Sequence, residues 1–322
     1  MLEWNNSITV WIKKKLGELK TEINRLQEES KKFFKTARGK LISFFVVLAI
    51  AILLLVQLWG YLVKSGLYND FVKGLPDGQL FSVQAVFSAI PDILKHLPMT
   101  LGLTIWGSVF GLILALLFAI VKINRVPVLY QIQAFFVSFL RGTPILVQLM
   151  LTYYGIPLLL RYINMKANTG WNINNVSPIV FAVVAFALNE AAYTSETIRA
   201  AIQAVDSGEI EAAKSLGMTN AQIYRRVIIP NAAVIATPTL INTLISLTKG
   251  TSLAFSAGII EMFAQAKIIG GRDYRYFERY ISVAIIYWIV SIVIENIGRY
   301  IEKSMEIKSP ENISVEAERG LR

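Results

Sequence analysis

Long uninterrupted runs of apolar residues dominate the hydropathy pattern of this chain. Most of them are long enough to cross about 30 Å of hydrocarbon as helices. The runs cover 41–63, 99–121, 131–160, 177–201, 230–247 and 281–300, and the third is interrupted at Arg141-Gly142-Thr143-Pro144. The pattern therefore predicts an all-α integral membrane protein with about six transmembrane helices.

The segments between these runs are more polar and divide the chain into regions. Near the N-terminus, Trp11, Ile12, Leu16 and Leu19 recur at three- and four-residue steps, which is typical of an amphipathic helix on a membrane surface or a partner. A solvated, half-ordered tail is the alternative. The predicted regions are a basic cytoplasmic helix over 1–40, an extra transmembrane helix over 41–63, an external loop with a short surface helix over 64–98, a transmembrane core over 99–303 that includes an interface loop over 161–176, and a cytoplasmic tail over 304–322.

Basic residues are unevenly distributed along the chain. The net charge is +10, from 32 lysines and arginines against 22 acidic residues. Six spans place both termini on one side, and 21 of the 32 basic residues then fall on that side, which the positive-inside rule makes cytoplasmic. Ten lie between Lys13 and Lys40, where aromatic residues do not alternate with them as in a nucleic-acid platform, which predicts contact with anionic lipid and not with nucleic acid. Four external cations run against the rule and suggest a docking surface: Lys267, Arg272, Arg275 and Arg279.

The composition excludes several kinds of catalytic chemistry. The chain has no cysteine and one histidine, His96, so it predicts no disulfide, no thiolate site and no histidine metal cluster. His96 is expected at a helix entrance. The sequence contains no GxxxxGK[ST] phosphate loop, so this chain is not expected to bind ATP itself. We therefore predict no catalytic, cofactor-binding or metal site.

The polar segment 206–230 reads as two short helices joined by a turn. Asp206 is expected to cap the first helix, with Glu209 closing a capping box, and Gly217 fits the left-handed position that ends it. A second box is expected from Thr219, and Pro230 suits the first turn of the next span. A rigid, charged helix pair between two spans is shaped to press against another protein, and an ordinary ordered loop is the alternative.

Polar residues at membrane depth are costly and mark either a transport path or packing pairs. Asn189, Tyr193 and Glu196 share one helical face, which could line a path for a zwitterion. We expect Glu196 to pair with Lys249 or with the ammonium group of a ligand. The alternative is packing, with Glu196 on Arg199. Glu190 is a second path candidate, and Arg141 is expected to satisfy carbonyls freed by the helix break. Gly250 and the small residues after it predict a broken helix at mid-depth.

One motif in the segment 206–230 points to a family. Glu211-Ala212-Ala213, followed by Gly217 and an ending of Val227, Ile229 and Pro230, resembles the EAA motif of bacterial ABC-importer permeases. In that family this element is the coupling helix that sits in a groove of the ATP-binding subunit. The resemblance implies that Glu209, Glu211, Ala212, Ala213, Gly217 and Pro230 couple this chain to an ATPase, with the coupling helix at 206–217.

Further stretches resemble the polar-amino-acid branch, the HisM/HisQ-like permeases. The run from Phe139 to Gln148 is similar to FRGTPLLVQ, with Leu140 added, and Ala192-Tyr193 with Glu196 and Arg199 is similar to an AYxxExxR helix. Lys249, Thr251, Ser252, Leu253 and Ala254 look like a K-[DN]-T-S-L-A turn, which adds Thr251 and Ser252 to the path candidates. The first stretch implies a structural motif of Arg141, Gly142, Thr143, Pro144 and Gln148. Two positions depart from the pattern: Glu209 replaces a frequent glutamine, and Gly250 replaces an acidic or amide residue. Residues 1–92 lie outside it.

The resemblance implies a type I importer permease in the bacterial cytoplasmic membrane. The implied partners are ATPase subunits that bind ATP and Mg, an external amino-acid-binding protein, and a second permease chain. The substrate is expected to be a polar amino acid, with cystine favoured because 249–280 looks most like cystine-type members, and with glutamine, glutamate and arginine as alternatives. An ion-coupled secondary transporter and a membrane scaffold or sensor are the rival functions.

Overall fold

The computed structural model describes residues 67–168 apart from residue 79, residue 170 and residues 176–305, with six isolated positions between 46 and 64. The predicted basic helix over 1–40 lies outside the described residues. So do most of the predicted span 41–63 and nearly all of the predicted tail 304–322. The described part is helical and contains no β-strand, only an isolated bridge between Asp77 and Ser82.

Twelve helices follow one another in the described residues, with one π-helical and one 3₁₀ turn between them. In chain order they are α1 (Leu67–Lys73), α2 (Val83–Ser88), α3 (Ile90–Leu94), α4 (Leu97–Ile123), α5 (Leu129–Gly142), α6 (Ile145–Ala167), α7 (Pro178–Gln203), α8 (Ser207–Ser215), α9 (Asn220–Ile223), a π-helical turn (Tyr224–Ile228), α10 (Ile229–Gly250), a 3₁₀ turn (Thr251–Ala257), α11 (Met262–Asp273) and α12 (Tyr276–Met305).

Five helical stretches in the described part are long and apolar enough to cross a membrane. They are α4, α6, α7, the continuous stretch Asn220–Ala257 that contains α10, and α12. These stretches confirm the predicted all-α membrane class. They also match five of the six predicted spans, and the sixth, 41–63, is the one outside the described residues.

The third predicted span, 131–160, is wrong as a single element. Pro144 has no N–H and forces Thr143 into an extended conformation (φ −116°, ψ 146°), so the chain forms two helices, α5 and α6. The interface loop predicted over 161–176 is also wrong in its first half. The helix α6 continues to Ala167 and ends only where Asn168 takes up a left-handed conformation (φ 50°).

The segment 64–98, for which an external loop is predicted, is more ordered than expected. In place of one surface helix it holds α1, α2 and α3, and Ser82 caps α2 by accepting a bond from the N–H of Ala85 (2.9 Å). Ile93 is fully buried in a core cluster that includes Met262 of α11 and Ile286 of α12. Burial of such apolar side chains attaches this segment to the last two helices.

The helices α4 and α7 form the centre of the described fold. A Cβ atom at Gly111 of α4 would lie 2.7 Å from the Cβ of Glu190, so glycine is required for the close approach of the two helices at this point. Gly107 similarly faces Phe186, which is fully buried. Small residues commonly allow transmembrane helices to approach closely. Their packing makes α7 the scaffold on which the candidate site is assembled.

Candidate functional site

The segment between α7 and α10, residues 206–230, forms a sharp elbow made by local hydrogen bonds. Asp206 caps α8 by accepting from the N–H of Gly208 (2.8 Å), and Gly217 ends the elbow's first helix with φ +75°. The capping box predicted from Thr219 is confirmed, since Thr219 and Gln222 bond to each other's backbone N–H. The box predicted for Glu209 is wrong, because its carboxylate instead accepts from the amide of Asn231 on α10.

One face of the elbow is packed and the other is exposed. Ala213 is buried with Val205, Ile223 and Ile228 in a small apolar cluster. Glu211 and Ala212 are exposed beside it, and Leu216 is 78% exposed. Pro230 lies in the first turn of α10, as predicted. The elbow therefore presents a mixed apolar and charged surface on a rigid base.

The break between α5 and α6 is stabilised by a glutamine. The Nε2 of Gln148 donates to the carbonyl of Leu140 (2.6 Å) and to the carbonyl and hydroxyl of Thr143 (both 3.0 Å). Its Oε1 accepts from the amide of Asn189 on α7 (3.0 Å). The prediction that the Arg141 guanidinium satisfies the freed carbonyls is wrong. The amide of Gln148, one turn into α6, donates to these carbonyls instead.

Arg141 instead turns toward α7. Its guanidinium lies over the ring of Tyr193, with 5.6 Å between Cζ and the ring centroid. The hydroxyl of Tyr193 donates to the Arg141 carbonyl (3.5 Å). This cation–π contact sets the guanidinium at the C-terminal end of α5.

Glu196 is held by two cations at the end of α7. Lys122, near the end of α4, donates to one carboxylate oxygen, and the Nε of Arg199 donates to the other (2.9 Å). The side chains are only partly exposed, at 16% for Glu196, 28% for Lys122 and 29% for Arg199. The predicted pairing with Lys249 is wrong, whereas the packing alternative with Arg199 is confirmed.

A cavity of about 480 Å³ opens beside this ion pair. It is lined by residues of α4, α5 and α7: Lys122, Ala134, Val137, Ser138, Arg141, Gly142, Tyr193 and Glu196. Four predicted residues therefore line one cavity: the path candidates Tyr193 and Glu196, and Arg141 and Gly142 of the structural motif. Lys122 is not among the residues predicted for this site. A cation near the end of one span and a carboxylate near the end of another are the signal that could have predicted the pair.

The remaining path candidates lie elsewhere. Glu190 is buried against α4 and accepts a hydrogen bond from Thr194 (3.2 Å). Thr251 and Ser252 donate to the carbonyls of Thr248 (2.7 Å) and Lys249 (2.8 Å) within the tightened end of α10.

Two other predictions concern this end of α10: the role of Lys249 and the helix break at Gly250. The Lys249 side chain is exposed and has no ion pair or hydrogen bond in the described part of the chain. The α-helix ends at Gly250, as predicted, although Gly250 itself keeps helical angles (φ −64°) and the left-handed residue is Gly258 (φ +77°). A 3₁₀ turn separates the two glycines, so the helix narrows before it ends.

A second buried carboxylate, Glu261, lies beyond this turn. Glu261 is completely buried and accepts from the N–H groups of Phe263 (3.0 Å) and Ala264 (2.8 Å) at the start of α11. The hydroxyls of Tyr287 (2.7 Å) and Thr100 (3.4 Å) complete its set of donors. His96 is at the entrance of α4, as predicted, with Nδ1 3.2 Å from the Ile260 carbonyl.

The four external cations do not form one exposed patch. Arg279 is buried and binds Asp273 together with the carbonyl of Ala85. Burial alone would raise the pKa of Asp273, but hydrogen bonds from Arg279 and from the Arg275 backbone lower it below the usual value. Arg279 therefore attaches α2 to α12, and of the four only Lys267 and Arg272 are exposed, with Lys267 over the ring of Phe255.

The chain is similar in sequence and in fold to known transport proteins. The model for the family described as binding-protein-dependent transport system inner membrane component matches residues 107–307. The probable amino-acid permease protein YxeN of Bacillus subtilis is 40% identical over 68% of this chain and 94% of its own length. The L-cystine transport system permease protein TcyL of the same organism is 35% identical over 70% of this chain and 92% of its own. A solved structure described as the crystal structure of an amino acid ABC transporter with histidines shares 36% identity and a TM-score of 0.57, over 66% of this chain and 94% of that one.

Proposed function

The chain belongs to the family of binding-protein-dependent transport system inner membrane components, and from that membership we propose that it carries polar amino acids into a bacterial cell, driven through the elbow 206–230 by a partner ATPase. It is the permease subunit of an amino-acid ABC importer and is not itself an enzyme. The coupling contact, the substrate and the orientation of the chain in the membrane are the proposed parts.

The elbow's exposed apolar surface is the observation that carries the coupling proposal. Leu216 and Ala212 are exposed on a helix whose opposite side, at Ala213, is buried. An exposed leucine at the C-terminal end of an ordered helix that also carries Glu211 and Lys214 is what a protein contact would cover. The bond from Asn231 to Glu209 ties α8 directly to α10, so a push on the elbow would move that span.

The coupling proposal is tested at Gly217. Its φ of +75° is strained for any residue with a Cβ, and most for a β-branched one. We expect Gly217→Val to leave the complex inserted and assembled while uptake falls at least tenfold relative to ATP hydrolysis. Uptake of labelled amino acid and release of phosphate, measured together in proteoliposomes, give this ratio.

Gly217→Asn is the matched control, because asparagine tolerates the left-handed conformation better than other residues with a side chain. It should keep most of the coupling. A Gly217→Val complex with a normal ratio of uptake to hydrolysis would remove the elbow from the coupling path.

The assembly proposed for this chain includes a second permease. Only 11% of the most apolar stretch of α6 is buried within the described structure, against 56% for α7. Its outer side, which includes Leu158 and Met165, therefore faces either lipid or another chain. We place both termini in the cytoplasm on the distribution of basic residues. An amino-acid-binding protein would deliver substrate on the opposite side.

Cystine is proposed as the first substrate to test. The stretch 249–280 is similar to cystine-type permeases, and the TcyL protein named above is described as an L-cystine permease. Competition for uptake of labelled L-cystine by unlabelled glutamine, glutamate and arginine, in vesicles holding the complete complex, tests the choice. We expect unlabelled cystine to compete best, and stronger competition by another amino acid would reassign the substrate.

A further inference from the structure

The cavity between α4, α5 and α7 is surrounded by more positive than negative charge. Lys122 and Arg141 line it, and Arg199 binds Glu196 from the side of α7. Three cations therefore lie around this cavity, with one carboxylate among them. Lys122 and Arg199 are paired with that carboxylate, so the unbalanced positive charge is on Arg141, and this charge favours an anionic group in the cavity.

Glu196 is already paired with two cations. One of its oxygens accepts from Lys122 and the other from Arg199. A ligand ammonium would add a third cation against this carboxylate. We therefore assign Glu196 to the charged surroundings of the cavity and not to the amino group of a substrate.

The guanidinium of Arg141 is the cation of the cavity that is not paired with an acidic group in the described residues. It stacks over Tyr193 but has no hydrogen bond or ion pair in the part of the chain that the structure describes. A guanidinium carries five N–H donors in a flat fork, and two of them match the two oxygens of a carboxylate. Contact with the Tyr193 ring holds the fork in one orientation, which lowers the entropy lost on binding.

We propose that the cavity binds the α-carboxylate of the transported amino acid through Arg141, an inference that rests on the proposed function. Tyr193 orients the guanidinium, and the Lys122–Glu196–Arg199 cluster supplies the positive surroundings. The volume of about 480 Å³ lies within the range of small-molecule sites. Small side chains at Ala134, Ser138 and Gly142 leave the space in front of Arg141 open.

The test is direct binding to the purified permease–ATPase complex without the binding protein, which would itself select for a carboxylate. The probes are labelled L-cystine, L-arginine and L-glutamine, each compared with its methyl ester as competitor. For the wild type we expect the preferred amino acid to bind about ten- to a hundredfold more tightly than its ester, the range for charge-assisted hydrogen bonds. In Arg141→Gln this preference should fall below about threefold, because only the carboxylate contact is lost.

Two variants make the result specific. Arg141→Lys keeps the charge but not the fork, so we expect an intermediate preference, and this variant carries the test if Arg141→Gln does not assemble. Arg299→Gln removes an exposed arginine of α12 that pairs with Glu295 outside the cavity, and it should bind like the wild type.

Three outcomes would overturn the proposal. The first is an unchanged preference for the free acid in Arg141→Gln, and the second is no binding of any probe to the wild type at millimolar concentration. The third is loss of co-purified phosphatidylglycerol in Arg141→Gln without loss of the preference for the free acid. The last result would assign the cavity to a lipid phosphate. Uptake of the same amino acids by the wild-type complex, with ATP and the binding protein, separately tests the proposed function.

Discussion

Two carboxylates join the helices of this permease, and they are held by different kinds of donor. Glu261 has no exposed surface and receives hydrogen bonds from the neutral hydroxyls of Thr100 and Tyr287 and from two backbone N–H groups. Glu196 keeps some exposure and lies between Lys122 and Arg199, beside an open cavity. The first links α4, α11 and α12, and the second links α4 and α7.

The difference separates a fixed anchor from an adjustable one. The hydroxyls of Thr100 and Tyr287 lose Glu261 as their partner if the helices separate, and an unsatisfied buried donor costs about 1–3 kcal/mol. Cations around Glu196 can exchange one anion for another, because the cavity admits water and ligand. We therefore expect the region around Glu261 to hold its shape during transport and the region around Glu196 to change its contacts.

The largest expected effect is at Glu261. Glu261→Ala leaves two hydroxyls and two N–H groups without an acceptor, so we expect the loss of more than about 3 kcal/mol of stability, with little assembled complex recovered. Thermal unfolding of the purified complex measures this loss. Glu261→Gln keeps one acceptor oxygen and should lose less. An unchanged unfolding midpoint in Glu261→Ala would remove the distinction between the two carboxylates.

A smaller effect is expected at Glu196, where water screens the partners. Glu196→Gln should cost about 1–2 kcal/mol, between the values for exposed and buried pairs, because it leaves two like charges together. Adding Lys122→Gln should restore part of the stability by removing one of those charges. Adding Lys249→Gln instead should restore nothing, since Lys249 does not contact Glu196. Equal rescue by both second changes would contradict the observed pairing.

Much of the fold could be predicted because the apolar runs are long. Helices cover the predicted spans 99–121, 177–201, 230–247 and 281–300. Three of these helices extend beyond both predicted ends, and α7 begins at Pro178, one residue inside its span. Local signals also succeeded at the elbow, where Gly217 and the Thr219 capping box depend only on residues a few positions away.

The predictions that were wrong concern contacts between distant parts of the chain. The carboxylate of Glu209 is close in sequence to a capping position, yet it bonds to Asn231, 22 residues further on. Lys122 and Glu196 meet only because glycines let α4 and α7 approach closely, and hydropathy carries no information on that pairing. The sequence predicts only a loop with one short surface helix where α1 to α3 lie, because the buried face of these helices is completed by α11 and α12.

The energy source of uptake tests the central claim most directly. Proteoliposomes would hold this permease with its ATPase, and the amino-acid-binding protein would be added outside with labelled L-cystine, L-arginine or L-glutamine. The account predicts uptake that requires ATP and the binding protein and that continues when an uncoupler abolishes the proton gradient. Uptake that persists without ATP and stops with the uncoupler would contradict it and would favour an ion-coupled transporter.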